Sequence, residues 1–161
     1  MSIERVRAHL AQFGAEGRIR EFEESSATVE LAAAAVGTGP ARIAKTLSFM
    51  VGETPTLILF AGDVRVNNQA FKATFHTKPK MLSADQAEQL IGHAVGGVCP
   101  FGVEPGVEVF LDESLRRFET VWPAAGSSNS AIELTLDELE RFSGARGWVD
   151  VAKGWRDEEL S

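Results

Sequence analysis

Two apolar runs, Thr46 to Val51 and Thr56 to Ala61, flank Gly52-Glu-Thr-Pro55. Each has the length and residue types of a strand, and the glycine and proline between them mark a turn, so the pair reads as a hairpin. Val107 to Leu111, Glu119 to Trp122, Ala131 to Leu134 and Trp148 to Val151 are further strand candidates. Their spacing is closer to hairpins than to strand–helix–strand crossovers. The expected fold is therefore α/β: a single domain over residues 1–161, with a mixed, largely antiparallel, barrel-like sheet and flanking helices.

Helices are signalled by period and by caps. Ile3, Val6, Leu10 and Phe13 recur at spacings of three and four, and Gly14 suits a helical stop. Val29 to Val36 reads as a helix, capped by Ser25, Ser26 or Thr28 and closed by Gly37. Asn67 to Thr74 reads as a short helix, and Asp112 to Phe118 as a helical turn. Ser83-Ala-Asp-Gln86 and Thr135-Leu-Asp-Glu138 are capping boxes opening helices through Leu90 and Phe142. Gly92 to Gly102 is a loop with four glycines and a proline.

Composition narrows the class. Hydrophobic residues make up 44% of the 161-residue chain and charged residues 24%, which are globular values. No stretch approaches the roughly 20 apolar residues of a membrane helix, and the first residues lack a signal-peptide pattern. The expectation is a soluble, cytoplasmic protein with no membrane partner. The net charge of −7 argues against a general nucleic-acid coat. The charge is uneven, however. Arg42 to Lys80 holds six cations and two anions, while the rest holds ten cations and twenty-one anions. Such a basic middle can meet one phosphate-bearing partner without attracting every polyanion.

Few residues offer side-chain chemistry. His9, His76 and His93 lack metal-ligand spacing and Cys99 is the one cysteine, so no metal and no cofactor is expected. No Gly-x-Ser-x-Gly elbow occurs. Cys99 with His93 six residues away allows a thiol nucleophile, but a small buried thiol beneath the loop is the preferred reading. Gly96-Gly97-Val-Cys-Pro-Phe-Gly102 is neither a P-loop nor Gly-x-Gly-x-x-Gly, yet such glycines let a ligand approach main-chain groups closely. Lys45, read as opening the first strand of the hairpin, can place a fixed cation at a pocket mouth.

These features occur in a set order: Thr28 opening a helix, Ile43-Ala-Lys45-Thr-Leu47, Ala61-Gly-Asp63, Val95-Gly-Gly-Val-Cys-Pro100-Phe-Gly102, Val109-Phe-Leu-Asp112, and Ala125-Gly126 followed by Ile132-Glu-Leu134. The order resembles the YbaK/prolyl-tRNA synthetase-associated editing domain family, from about residue 20 to residue 150. The resemblance implies a trans-editing hydrolase that deacylates mischarged aminoacyl-tRNA. Its expected partner is tRNA(Pro) carrying a small or hydroxylated amino acid, with prolyl-tRNA synthetase as a further partner. It implies that Lys45, Gly96 and Gly97 are catalytic. Lys45 would anchor the acceptor end, and the loop from Gly96 to Pro100 would surround the ester and position water. It also implies that Thr46, Val98 and Pro100 bind substrate. The alternative is a non-catalytic tRNA-binding or regulatory module of the same fold.

This chain departs from the familiar branches of that family. Ala124 and Ala131 stand where the branch acting on Cys-tRNA(Pro) has a serine and an acidic residue. No histidine follows His93, whereas the alanine-specific branch uses a late one. The late turn offers Ser127, Ser128, Asn129 and Ser130 instead. Ser128 and Asn129 are accordingly expected to contact substrate.

Overall fold

The computed structural model describes residues 2–94 and 96–156. Val95, part of the glycine-loop pattern, lies outside them.

The first amphipathic segment forms α1 (Ser2–Ala11), which buries Val6 and Leu10 fully before the chain turns through Gly14 at φ +71°. A short arm, β1 (Arg20–Glu21), leads to α2 (Val29–Val36). The cap of α2 is Thr28, whose Oγ1 accepts from the Leu31 N–H at 3.1 Å, and Gly37 ends it in the left-handed region. The hairpin follows as β2 (Ile43–Val51) and β3 (Thr54–Ala61), turning through Gly52 at φ +61°. Leu57, Ile58, Leu59, Phe60 and Ala61 are all fully buried, so both faces of β3 are covered. Each large side chain buried in this way stabilises by about 1.5–3 kcal/mol.

Then come β4 (Arg65–Val66), α3 (Asn68–Phe75) capped by Asn67, and α4 (Ala84–Gln86). Both reciprocal bonds of the Ser83/Gln86 capping box are present. Beyond Gln86 the helix widens into a π-helical turn, Ala87–Ile91, closed by Gly92 at φ +99°. The second half supplies β5 (Glu108–Asp112), β6 (Thr120–Pro123), β7 (Ser130–Ala131), β8 (Leu134–Thr135), α5 (Leu136–Ser143), β9 (Gly147–Val149) and β10 (Ala152–Lys153).

The main sheet is mixed and six-stranded, in the order β8-β6-β2-β3-β5-β9. β2 is antiparallel to β3 and β6 to β8, while β6 runs parallel to β2, β5 to β3 and β9 to β5. Two antiparallel ribbons, β1–β7 and β10–β4, flank it. One hydrophobic cluster runs from Val6 to Ala152, and a smaller one joins Ala32 and Ala33 of α2 to Ile43, Trp122 and Ala131. Among the described residues, no helix is long and apolar enough to cross a membrane.

Two local expectations change. The first hairpin strand begins at Ile43, because Ile43 and Ala44 pair with Trp122 and Pro123. Lys45 is thus the third strand residue rather than the entrance. The expected strand from Ala131 to Leu134 is two pieces, since Ser130–Ala131 pairs with the β1 arm and Leu134–Thr135 with β6.

Candidate active site

A gap along one edge of β2 creates the main cleft. β6 pairs with β2 only through Ile43 and Ala44, then leaves it at Pro123, which has no N–H to continue a ladder. Beyond Pro123 the chain turns to β7 instead, bridging Ala124 to Ala131. Further along the same edge, the segment at residues 80–82 takes over. The Met50 N–H donates to the Lys80 carbonyl at 2.8 Å and the Leu82 N–H to the Ser48 carbonyl at 3.1 Å. Backbone groups of even-numbered β2 residues therefore face this edge, where Thr46 falls between the two partners. Space of about 340 Å³ opens there.

Six segments wall this cleft. Thr28, Val29 and Ala32 come from the start of α2, and Ile43 to Ser48 from β2. Met81, Leu82 and Ser83 come from the strap before α4, and Gly96 and Val98 from the glycine loop. Trp122, Ala124, Ser130 and Ala131 complete it from β6 and β7. Among the described residues, no aspartate, glutamate, histidine or cysteine lines it.

Among the described lining residues, Lys45 is the one that carries a formal charge. Its ammonium donates to the Val64 carbonyl. Burial lowers its pKa from the ordinary lysine value, opposed by the nearby carboxylates of Asp63 and Glu30. Asp63 is held by Arg117 through bonds of 2.6 and 3.0 Å, which with burial opposing keep its carboxyl below the usual range. An ammonium has three donors, so the bond to Val64 leaves two for a ligand. Beside it, the Thr46 Oγ1 is buried and has no hydrogen-bond partner among the described residues.

The glycine loop is held against the late turn. A Cβ on Gly97 would come within 2.7 Å of the Gly126 carbonyl carbon and 2.8 Å of the Ser127 nitrogen. Gly96, at φ +92°, sits between Ala27 and Ser128. The loop thus needs glycine for close approach at one position and for conformation at the other.

Of the residues singled out from the sequence, Lys45, Thr46, Gly96 and Val98 line this cleft together. Gly97, Pro100, Ser128 and Asn129 do not line it. Gly97 packs on the turn, and Pro100 is buried. Ser128 is exposed, and its carbonyl accepts from the Ser26 N–H at 2.6 Å. The Asn129 amide donates to the Phe22 carbonyl at 2.8 Å. The late-turn serine that lines the cleft is Ser130, 1% exposed, whose hydroxyl accepts from Ser127 Oγ at 2.6 Å.

Cys99 is fully buried and outside the cleft wall, its thiol 3.7 Å from His93 Nε2. Burial pushes that thiol up to about 12, against a weaker opposing bond to the Phe101 carbonyl. A thiol so protonated and enclosed is no nucleophile at neutral pH. Trp122, the Met81–Ser83 strap and Ser26 carried no sequence signal for a site. Only their meeting across the β2 edge reveals them.

Known proteins share this sequence pattern and fold. The model of the aminoacyl-tRNA editing domain matches residues 23–142. The uncharacterized protein YwhH of Bacillus subtilis (strain 168) is 50% identical over 156 residues, covering 96% of this chain and 99% of that one. A proline–tRNA ligase of Streptococcus sanguinis is 29% identical over 112 residues, which are 67% of this chain but 17% of the ligase. A crystal structure described as a candidate trans-editing enzyme for prolyl tRNA synthetase superposes with a TM-score of 0.85 at 28% identity, covering 95% and 98% of the two chains. The chain belongs to the aminoacyl-tRNA editing domain family.

Proposed function

We propose that this protein is an aminoacyl-tRNA deacylase that acts in trans on tRNA(Pro) carrying a small or hydroxylated amino acid. The observation that carries the reading is the meeting of Lys45 with Gly96 and Val98 in one cleft, whose wall among the described residues has no acid, histidine or thiol. An aminoacyl ester is labile enough to need only placement and charge stabilisation. Water attacks the ester carbonyl carbon, the bond to the ribose oxygen breaks, and that oxygen takes the proton. The products are the free amino acid and uncharged tRNA. Lys45 supplies a fixed positive charge for oxygen atoms of the ester or the terminal nucleotide, in a site poorer in water than the surface. The glycine loop closes the opposite side, and the adjacent ribose hydroxyl assists the water.

Selection follows from wall size. Ala27, Ala32, Ala124 and Ala131 leave room on one side, while Ile43 and Trp122 limit depth. Such a sieve admits small side chains and rejects the proline ring by steric exclusion. Ser130 gives a hydroxylated side chain a polar partner.

The test is a panel of tRNA(Pro) charged with alanine, cysteine, serine, threonine, 2-aminobutyrate or proline. Hydrolysis of at least one small residue, with Pro-tRNA(Pro) spared, is expected. Hydrolysis of none would favour the non-catalytic tRNA-binding module.

A further inference from the structure

Residues 64–83 contain Arg65, Lys72, Lys78 and Lys80 and not one of the chain's 23 acidic residues. Elsewhere eight arginines, Arg5, Arg7, Arg18, Arg42, Arg116, Arg117, Arg146 and Arg156, each hold a carboxylate. None of the ion pairs among the described residues uses a lysine. Lys72, Lys78 and Lys80 are all exposed. Lys72 and Lys78 face a common hollow with Asn68, Gln69 and Pro79. Unpaired cations gathered without a carboxylate cost self-repulsion that an external anion removes.

This hollow adjoins the cleft through one strap. Lys78 and Pro79 line the hollow, and Met81, Leu82 and Ser83 line the cleft. Three residues of chain span at most about 10 Å, so the hollow opens within that reach of the cleft wall. At about 3.4 Å of rise per nucleotide this is about three nucleotides of a strand. At the junction stands Met81, 55% exposed. Large apolar side chains exposed among the described residues are Met81 and Leu31, and α2, which carries Leu31, forms the opposite bank of the same cleft. A cationic run ending in an exposed apolar platform is the combination that single-stranded nucleic acid needs: charge for phosphates and a surface for a base.

We propose that Lys72 and Lys78 form the phosphate track for the terminal nucleotides of the RNA, and that Met81 seats a base where the strand enters the cleft. This rests on the deacylase reading and adds the surface by which the substrate arrives.

The test uses the full chain with Lys72→Glu/Lys78→Glu, and with Lys72→Arg/Lys78→Arg as the charge-conserving control. Binding of uncharged tRNA(Pro) is followed by fluorescence anisotropy across a salt series. Hydrolysis is followed on aminoacyl-tRNA and on the 3′-aminoacyl-adenosine ester, which has no phosphate. The reversed variant is expected to bind tRNA at least tenfold more weakly at low salt. The slope of log affinity against log salt should shrink by about 1.4, at about 0.7 per lost contact. The arginine variant and hydrolysis of the adenosine ester should stay near wild type. Unchanged tRNA binding and slope in the reversed variant would overturn the track, as would equal loss on the phosphate-free ester. Wild-type binding to phosphatidylglycerol vesicles but not to tRNA would overturn it too. If no ester is cleaved by any form while the binding differences appear, the track stands and the deacylase reading fails.

Discussion

Asn129 and Phe22 exchange two hydrogen bonds. The Phe22 N–H donates to the Asn129 carbonyl at 2.8 Å, and the Asn129 side-chain amide returns one to the Phe22 carbonyl at 2.8 Å. The bonds tie the arm before α2 onto the late turn, and so fix the Ser26–Thr28 side of the cleft relative to Ser130. Asn129 is therefore a frame residue. Asn129→Ala leaves the Phe22 carbonyl without its side-chain partner and should destabilise by about 1–2 kcal/mol. Chemical denaturation measures this. In the folded variant kcat for deacylation should stay within a few-fold of wild type, and a collapse of kcat with normal folding would return Asn129 to the reacting site.

Gly97 is constrained by its neighbours rather than by its own φ, since a methyl group there meets the Gly126 and Ser127 backbone at under 3 Å. Backbone cannot rotate aside as a side-chain tip can, so Gly97→Ala must push the loop off the turn. Overpacking of this kind costs about 1–3 kcal/mol. Deacylation should fall more steeply than thermal stability, because Gly96 and Val98 move with the loop. Activity and melting temperature measured side by side decide it.

His93 gives the loop a pH dependence. Its Nε2 sits 2.7 Å from the Phe101 carbonyl, and its Nδ1 is buried without a hydrogen-bond partner among the described residues. Burial lowers its pKa from the ordinary histidine value, opposed by the bond to Phe101. The unfolded chain therefore binds the proton more readily than the fold does. The contribution is complete above the unfolded value of about 6.5 and is lost as pH falls toward the folded value. Stability measured from pH 7.5 to pH 5 should decline, and His93→Gln should flatten the part of the decline due to this residue. An unchanged profile in the variant would remove His93 as the cause.

Cys99 should behave as packing. Its thiol, pushed up to about 12 by burial, should resist maleimide in the native protein and react once the chain is unfolded. Cys99→Ala should retain most deacylation while losing on the order of 1 kcal/mol of stability. Loss of activity with normal folding would restore the thiol to the mechanism.

Much of the frame was legible because it is encoded locally. Thr28, Ser83 and Thr135 cap the helices their spacing announced, and Gly37 and Gly144 close α2 and α5 in the left-handed region. What stayed hidden depends on partners far along the chain. β2 extends back to Ile43 because Ala44 and Lys45 pair with Ala61 and Phe60 on one side, while Ile43 and Ala44 pair with Trp122 and Pro123 on the other. Ser130 and Ala131 leave the strand that Leu134 joins because the β1 arm claims them. The cleft arises where Pro123 ends one ladder and Lys80 begins another, a juxtaposition with no periodicity to read. Lys45 and Gly96 could be selected from sequence by residue type, whereas Trp122 and Met81 look like ordinary core and surface until the sheet edge brings them to the same wall.

On the deacylase reading, the Lys45 ammonium, held by the Val64 carbonyl at the cleft, stabilises the reacting ester. Lys45→Ala takes away the bond to the Val64 carbonyl but also relieves the burial of a charge, so the protein should still fold. The direct measurement is single-turnover hydrolysis of the best mischarged tRNA(Pro) by wild type and Lys45→Ala, with denaturation curves on the same samples. A cooperatively folded variant is expected, with a rate lower by about 100-fold or more, the scale of losing one preorganised donor at a developing oxyanion. A Lys45→Ala protein that cleaves at the wild-type rate would contradict it.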